Sequence, residues 1–168
     1  MSTDETAPTS EPNMPVEIER KFLVPTLPDN LEEFPHKAIK QGYIVIGTDG
    51  TEVRLRDKAG KYTLTVKSKG ELSRGECESA LTREQFDTFW PTTEGRRVEK
   101  TRYEIPHGDL TIELDVYEGD LIGHVSAEIE FPTVWAADVL EVPDWLGADV
   151  TADSAYKNQN LATRGWPE

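Results

Sequence analysis

Val16-Glu17-Ile18-Glu19-Arg20-Lys21-Phe22 decides how the rest of this chain is read. Side chains alternate faces along a β-strand. On that rule Glu17, Glu19 and Lys21 share one face, while Val16, Ile18 and Phe22 share the other, with Arg20 as an exception. A single strand of this kind reads as a solvated face over a buried one. The same design then recurs. Arg54 and Arg56 oppose Val53 and Leu55, and Lys67 lies with Thr63 and Thr65, away from Tyr62, Leu64 and Val66. Glu76 and Glu78 share a face, and Lys100 and Arg102 oppose Thr101 and Tyr103. Glu113 and Asp115 oppose Ile112, Leu114 and Val116; Glu128 and Glu130 oppose Ala127, Ile129 and Phe131.

Two features set these strands apart from a sheet with one face in water. The ionisable positions are mostly Glu, Asp, Arg and Lys, with few of the Ser, Thr or Gln of a solvated face. Charge sign is also segregated: Arg54/Arg56 and Lys100/Arg102 are basic pairs, Glu76/Glu78, Glu113/Asp115 and Glu128/Glu130 acidic ones. Like charges two residues apart on a strand repel mildly unless something bridges them. An anionic ligand with a divalent cation would be that bridge. Eight strands close into a barrel with room for one small ligand. The charged faces are therefore expected inward and the apolar faces outward, under helices. The lumen would then hold Lys21, Arg54, Arg56, Lys67, Lys100 and Arg102.

The strands are expected near Val16–Val24, Ala38–Ile46, Glu52–Lys58, Lys61–Lys69, Ser73–Leu81, Val98–Ile105, Leu110–Tyr117 and Gly123–Phe131. Thr48-Asp49-Gly50, Lys58-Ala59-Gly60, His107-Gly108-Asp109 and Glu118-Gly119-Asp120 supply turns, because Gly and Asp tolerate positive φ. Thr82-Arg83-Glu84-Gln85 is a capping box opening a helix stopped by Pro91. Thr133 is expected to cap a helix carrying Val134, Trp135 and Val139-Leu140. Thr151 is expected to cap one running through Tyr156 and Leu161. A short helix is expected near Leu31–Phe34. The fold class is α+β, mainly β: an eight-stranded antiparallel barrel with helices packed outside.

The length of 168 residues suits one domain, read here as 14–168 behind a disordered tail of Ser, Thr, Pro and Glu over 1–13. Acids outnumber bases by 32 to 18, a formal charge of −14, which is the reverse of a nucleic-acid binder. Any anion must be held locally or through a cation. The lone Cys77 permits no intramolecular disulfide and fits a reducing cytoplasm; it is expected to be a small, half-buried residue. There is no apolar run of about 18 residues, so no membrane span is expected.

Glu17-Ile-Glu19-Arg-Lys21 resembles the ExExK signature of the CYTH superfamily, the triphosphate tunnel metalloenzymes. The resemblance continues in order through Gln41-Gly42-Tyr43, Arg54-Leu-Arg56, Thr65-Val-Lys67-Ser68, Arg74-Gly-Glu76-Cys-Glu78, Glu99-Lys100-Thr-Arg102-Tyr103, Glu113-Leu-Asp115-Val, Ala127-Glu128-Ile-Glu130-Phe131 and Tyr156-Lys157-Asn158. One ExExK is weak; ordered segments across nearly the whole chain are specific. Short bacterial members that hydrolyse inorganic triphosphate are the most similar in character. The resemblance implies a tunnel binding a small triphosphate, with Mg²⁺ or Mn²⁺ as cofactor.

For such chemistry the bases would hold phosphate oxygens: Arg54, Arg56 and Arg102 with a bidentate fork, Lys21, Lys67 and Lys100 as point charges, and Lys157 at one mouth. Glu17, Glu19, Asp115, Glu128 and Glu130 are the candidate metal ligands, with Glu128 and Glu130 ranked first. Glu76, Glu78 and Glu113 are candidate supporting acids that orient the bases. Lys21 or Tyr43, with a lowered pKa, is the candidate general base for an attacking water. The expected reaction takes inorganic tripolyphosphate to pyrophosphate and phosphate. The alternatives are a class IV-type adenylate cyclase, a nucleoside or thiamine triphosphatase, and a non-enzymatic polyphosphate-binding protein. Apolar outer patches on an acidic barrel also leave room for a homodimer.

Overall fold

The computed structural model of the chain describes residues 15–69 and 73–168; the expected tail over 1–13 lies outside the described residues. Eight strands close a barrel: β1 (Val16–Leu23), β2 (His36–Ile46), β3 (Glu52–Lys58), β4 (Lys61–Lys67), β5 (Ser73–Leu81), β6 (Arg97–His107), β7 (Leu110–Tyr117) and β8 (Val125–Glu130). Their order around it is β1-β5-β4-β3-β2-β6-β7-β8, and neighbours are antiparallel. Two hairpin ribbons, β2 to β5 and β6 to β8, are joined along their free edges by β1. The lower half of β1 pairs with β5 and the upper half with β8.

Residues directly opposite on paired strands point to the same face, so register alone brings the charges together. Lys21 faces Glu128, which faces Glu113; Arg102 faces Asp115; Lys67 lies between Glu52 and Glu76. Gln41 and Tyr43 face Arg56 and Arg54, ahead of a bulge between Tyr43 and Val45.

The opposite parity makes the core. Phe22, Tyr103, Ile105, Ile112, Leu114, Ala127, Ile129 and Phe131 form one buried cluster, with Ala137, Leu146 and the flank of Trp145 laid over it. Each fully buried side chain of this size contributes roughly 1.5–3 kcal/mol. Helix α1 (Arg83–Phe89) opens on the capping box, with Thr82 and Gln85 bonded reciprocally, and packs Phe86 on Tyr62. The α-helix ends at Phe89, and Pro91 sits inside a following 3₁₀ turn, Trp90–Thr93. Leu31–Glu33 is a 3₁₀ turn.

Three expectations are corrected. Helix α2 (Val134–Asp138) is capped by Thr133 but stops before Val139-Leu140, and Trp135 is 72% exposed rather than packed on the barrel. Cys77 is exposed, because it takes the outward parity of β5, opposite to Glu76 and Glu78. Thr151 caps no helix. Its Oγ1 accepts the Lys21 N–H at 2.9 Å and donates to Asp149 Oδ1 at 2.5 Å. Asp153 caps a 3₁₀ turn, Ser154–Tyr156, and helix α3 (Asn158–Arg164) follows.

That correction explains Arg20. Residues 147–150 bond along β1: Gly147 N–H donates to Leu23 O, Leu23 N–H to Ala148 O and Val150 N–H to Lys21 O. The Arg20 guanidinium, on the apolar face, clamps Asp149 at 2.7 and 2.9 Å and the Ala137 carbonyl at 2.9 Å. The off-pattern base thus ties the C-terminal segment to the barrel. The segment leads to α3, whose Leu161, with Trp166 beyond it, packs on Val98, Tyr117 and Leu121 at one end of the barrel.

Candidate active site

The inward faces enclose a cavity of about 220 Å³. Lys21, Tyr43, Arg54, Arg56, Lys67, Lys100, Arg102 and Lys157 line it, as do Glu17, Glu19, Glu76, Glu78, Glu113, Glu128 and Glu130. Asp115, fully buried, sits behind Lys100 and Arg102.

On the β6–β8 wall the charges are locked in pairs. Lys100 Nζ donates to Asp115 Oδ2 at 2.6 Å. Arg102 lays its fork on Asp115, with Nε to Oδ1 and Nη2 to Oδ2, both at 2.7 Å. Nη2 also reaches Glu128 Oε2 at 2.7 Å, and Nη1 reaches Glu113. Lys21 Nζ and Asn158 Nδ2 donate to Glu128 Oε1 at 3.1 and 3.3 Å. Burial alone would raise both acids. Instead Arg102 and Lys100 hold Asp115 below the usual carboxylate range, and Lys21 and Arg102 hold Glu128 well below it.

The β3–β5 wall is looser. Lys67 Nζ bridges Glu17 at 2.5 Å and Glu76 at 2.9 Å. Arg56 Nη2 meets Glu78 at 3.1 Å, and among the described residues Arg54 Nη2 reaches only Thr65 Oγ1 at 3.4 Å. The Nε atoms of both arginines are buried without a hydrogen-bond partner. A guanidinium so held has donors left for an anion.

The carboxylates divide accordingly. Oxygen atoms of Glu17, Glu19 and Glu130 all lie within 4.8 Å of one another. Burial, and then the charge of Glu19, pushes Glu17 up to about 8, the response of an acid lacking enough positive charge. Three carboxylate oxygens converging in this way suit a hard divalent cation. Asp115 and Glu128, grouped with them from sequence and with Glu128 ranked first, give their oxygens to Lys100, Arg102 and Lys21. Alternation shows which acids face inward but not which bases they meet.

The two candidate bases carry shifts opposite to the lowering that role requires. Against the effect of burial, Tyr117, Glu128 and Asp115 raise Lys21 above the ordinary lysine value. Burial and Glu52 raise Tyr43 well above the tyrosine value, while its Oη accepts from Gln41 Nε2 at 2.9 Å.

The lining also includes residues that the sequence reading did not assign to the site: Glu52, Lys58, Thr151 and Asp153. Glu52 is 2% exposed. It and Lys58 follow from carrying the parity of Arg54 and Arg56 one step in each direction. Thr151 and Asp153 arrive with the irregular C-terminal segment, where no periodicity points to a face.

A CYTH domain model matches residues 15–144. The chain is 48% identical over 148 residues to an inorganic triphosphatase of Nitrosomonas europaea, covering 87% of this chain and 96% of that one. It is 36% identical over 148 residues to an inorganic triphosphatase of Acetivibrio thermocellus, covering 86% and 92%. Among solved structures, that of the inorganic triphosphatase NE1496 superposes with a TM-score of 0.67 at 43% identity, covering 90% of this chain and 97% of the other. Family model, relatives and barrel agree: this chain belongs to the CYTH domain family.

Proposed function

We propose that this protein hydrolyses inorganic tripolyphosphate to pyrophosphate and phosphate with the help of a divalent cation. The observation that carries the reading is the convergence in one lumen of phosphate-binding bases and the Glu17/Glu19/Glu130 carboxylates. Two relatives named inorganic triphosphatase support it.

Charge balance explains why a cation is needed. Among the described residues eight bases and nine acids line the cavity. With Glu17 pushed up to about 8, bases and ionised acids nearly balance, so the lumen has little surplus positive charge for a triphosphate unless cations come with it. Glu17, Glu19 and Glu130 fit Mg²⁺ or Mn²⁺ by donor chemistry. Such an ion would neutralise phosphate oxygens and withdraw charge as the bridging bond breaks.

The chain's own residues do the rest. Arg54 and Arg56, whose Nε atoms have no partner, grip phosphate oxygens and orient the chain. Lys21 and Arg102 present fixed positive charge that needs no rearrangement when charge shifts to the leaving group, and Lys100, lowered by burial to about 8, adds a charge held against Asp115. Lys67, between Glu17 and Glu76, links the basic wall to the acidic cluster. Lys157 closes the mouth beside α3. Tyr43 keeps its proton and donates it to a phosphate oxygen. Glu76, Glu78 and Glu113 orient the bases they pair with.

Phosphate release from tripolyphosphate, pyrophosphate, ATP and thiamine triphosphate, with Mg²⁺, Mn²⁺ or chelator, tests the reading. Tripolyphosphate is expected to be turned over fastest, and only with a divalent cation. Cyclic AMP as the main product from ATP would replace hydrolysis by cyclisation. Tight binding without turnover under any divalent cation would make this a binding protein.

A further inference from the structure

A second cavity, of about 710 Å³, lies outside the barrel between the β2–β3 turn, Lys69 two residues beyond β4, and α3. Among the described residues Lys69, Lys157 and Arg164 line it, against one acid, Asp49. Its charge therefore runs opposite to that of a chain with a formal charge of −14. Lys157 also lines the tunnel, so the two cavities meet at that side chain. Gln159 borders the outer groove at 5% exposure, and its Oε1 has no hydrogen-bond partner. A buried amide oxygen without a donor is unusual in a folded protein. A protonated phosphate oxygen, or the water of a cation travelling with a phosphate chain, would be such a donor.

We propose that this groove binds the part of an inorganic polyphosphate that projects beyond the tunnel, so that chains longer than tripolyphosphate dock through Lys69, Arg164 and Lys157. The inference rests on the triphosphatase reading for the tunnel itself. A strongly acidic protein repels a long polyanion over most of its surface. A basic groove that shares Lys157 with the tunnel lining gives such a chain a favourable path. Tripolyphosphate, contained in the lumen, does not reach Lys69 or Arg164.

The test compares wild type with K69A/R164A, two exposed positions outside the tunnel lining. Tripolyphosphate hydrolysis is measured alone and with long-chain polyphosphate as competitor, at fixed ionic strength and fixed free Mg²⁺. The double variant is expected to keep kcat/KM on tripolyphosphate within about twofold, while the inhibition constant of the long chain weakens by about tenfold. Competition unchanged by the double substitution overturns the groove, as does an equal loss for both ligands. Orthophosphate serves as a second competitor. If it responds to the substitutions as strongly as the long chain does, the groove is a single-phosphate site and the proposed chain path is wrong. If neither protein hydrolyses tripolyphosphate but the long chain still binds in a Lys69- and Arg164-dependent way, the triphosphatase reading fails and the groove stands.

Discussion

Two arginines of like burial and opposite circumstance show how single residues divide the work of the lumen. Arg102 is 7% exposed and spends its fork on Asp115, Glu128 and Glu113; Arg54 is 8% exposed and has one long bond, to Thr65. Arg54→Lys removes a planar fork of which the fold uses one long bond. Its kcat/KM on tripolyphosphate is expected to fall about tenfold or more, with the urea midpoint nearly unchanged. Asp115→Asn has the reverse character. It leaves Lys100 and Arg102 buried with less opposing charge, and a loss of about 3–5 kcal/mol is expected in urea unfolding near neutral pH. The pH dependence follows from the direction of the shift. Asp115 sits below its unfolded pKa of about 3.9, so its contribution is complete above that value. It is lost as the pH falls through the depressed native value. The stability gap between wild type and Asp115→Asn should therefore narrow in that acid window and stay constant above it. A gap that persists unchanged into strong acid would mean that the Asn variant fails for steric reasons.

At the scale of elements, the outer wall of the barrel depends on close approach as well as on charge. Gly42 on β2 lies beneath the 3₁₀ turn Trp90–Thr93, and a Cβ there would come within 2.5 Å of Thr93 Oγ1 and 2.6 Å of its Cβ. Thr93 is fully buried, and its Oγ1 accepts from Arg97 Nε and donates to Trp90 O. Gly42→Ala is thus expected to cost about 1–3 kcal/mol by overpacking, read as a lower thermal midpoint. Gly42→Ala melting with wild type would show that the turn shifts freely. This glycine was visible in sequence only as part of Gln41-Gly42-Tyr43, with no hint of the turn that needs it. The strands were more legible, because period-two alternation states both the element and its inward side, and Glu17, Arg54, Lys100 and Glu130 all point where that rule sends them. The C-terminal segment was not. Thr151 reads as a helix cap by residue type, but the backbone of β1 takes its hydroxyl first. Arg20 looked like a blemish in the pattern because its partners, Asp149 and Ala137, are more than a hundred residues away.

The whole molecule is an acidic shell around a lumen whose acids slightly outnumber its bases, and this arrangement makes cation and substrate depend on each other. Tripolyphosphate alone would add negative charge to a cavity with no surplus of positive charge; a divalent cation alone would meet Glu17, Glu19 and Glu130 but no phosphate oxygens to share. Bound together, each removes the charge that opposes the other. A ligand that binds only the native state stabilises it by RT ln(1 + [L]/Kd), about 2.7 kcal/mol at a hundredfold excess over Kd. Thermal midpoints should therefore rise little with tripolyphosphate in chelator, modestly with Mg²⁺, and with both by clearly more than the sum. Glu130→Gln removes one oxygen charge from the trio without touching Arg54 or Arg102. It should abolish the excess from the combination while leaving the increment with tripolyphosphate in chelator equal or larger, because one repulsive charge is gone. A wild-type midpoint raised as much by tripolyphosphate in chelator as by the two ligands together would show that the bases alone suffice, and that the carboxylate trio has no part in binding.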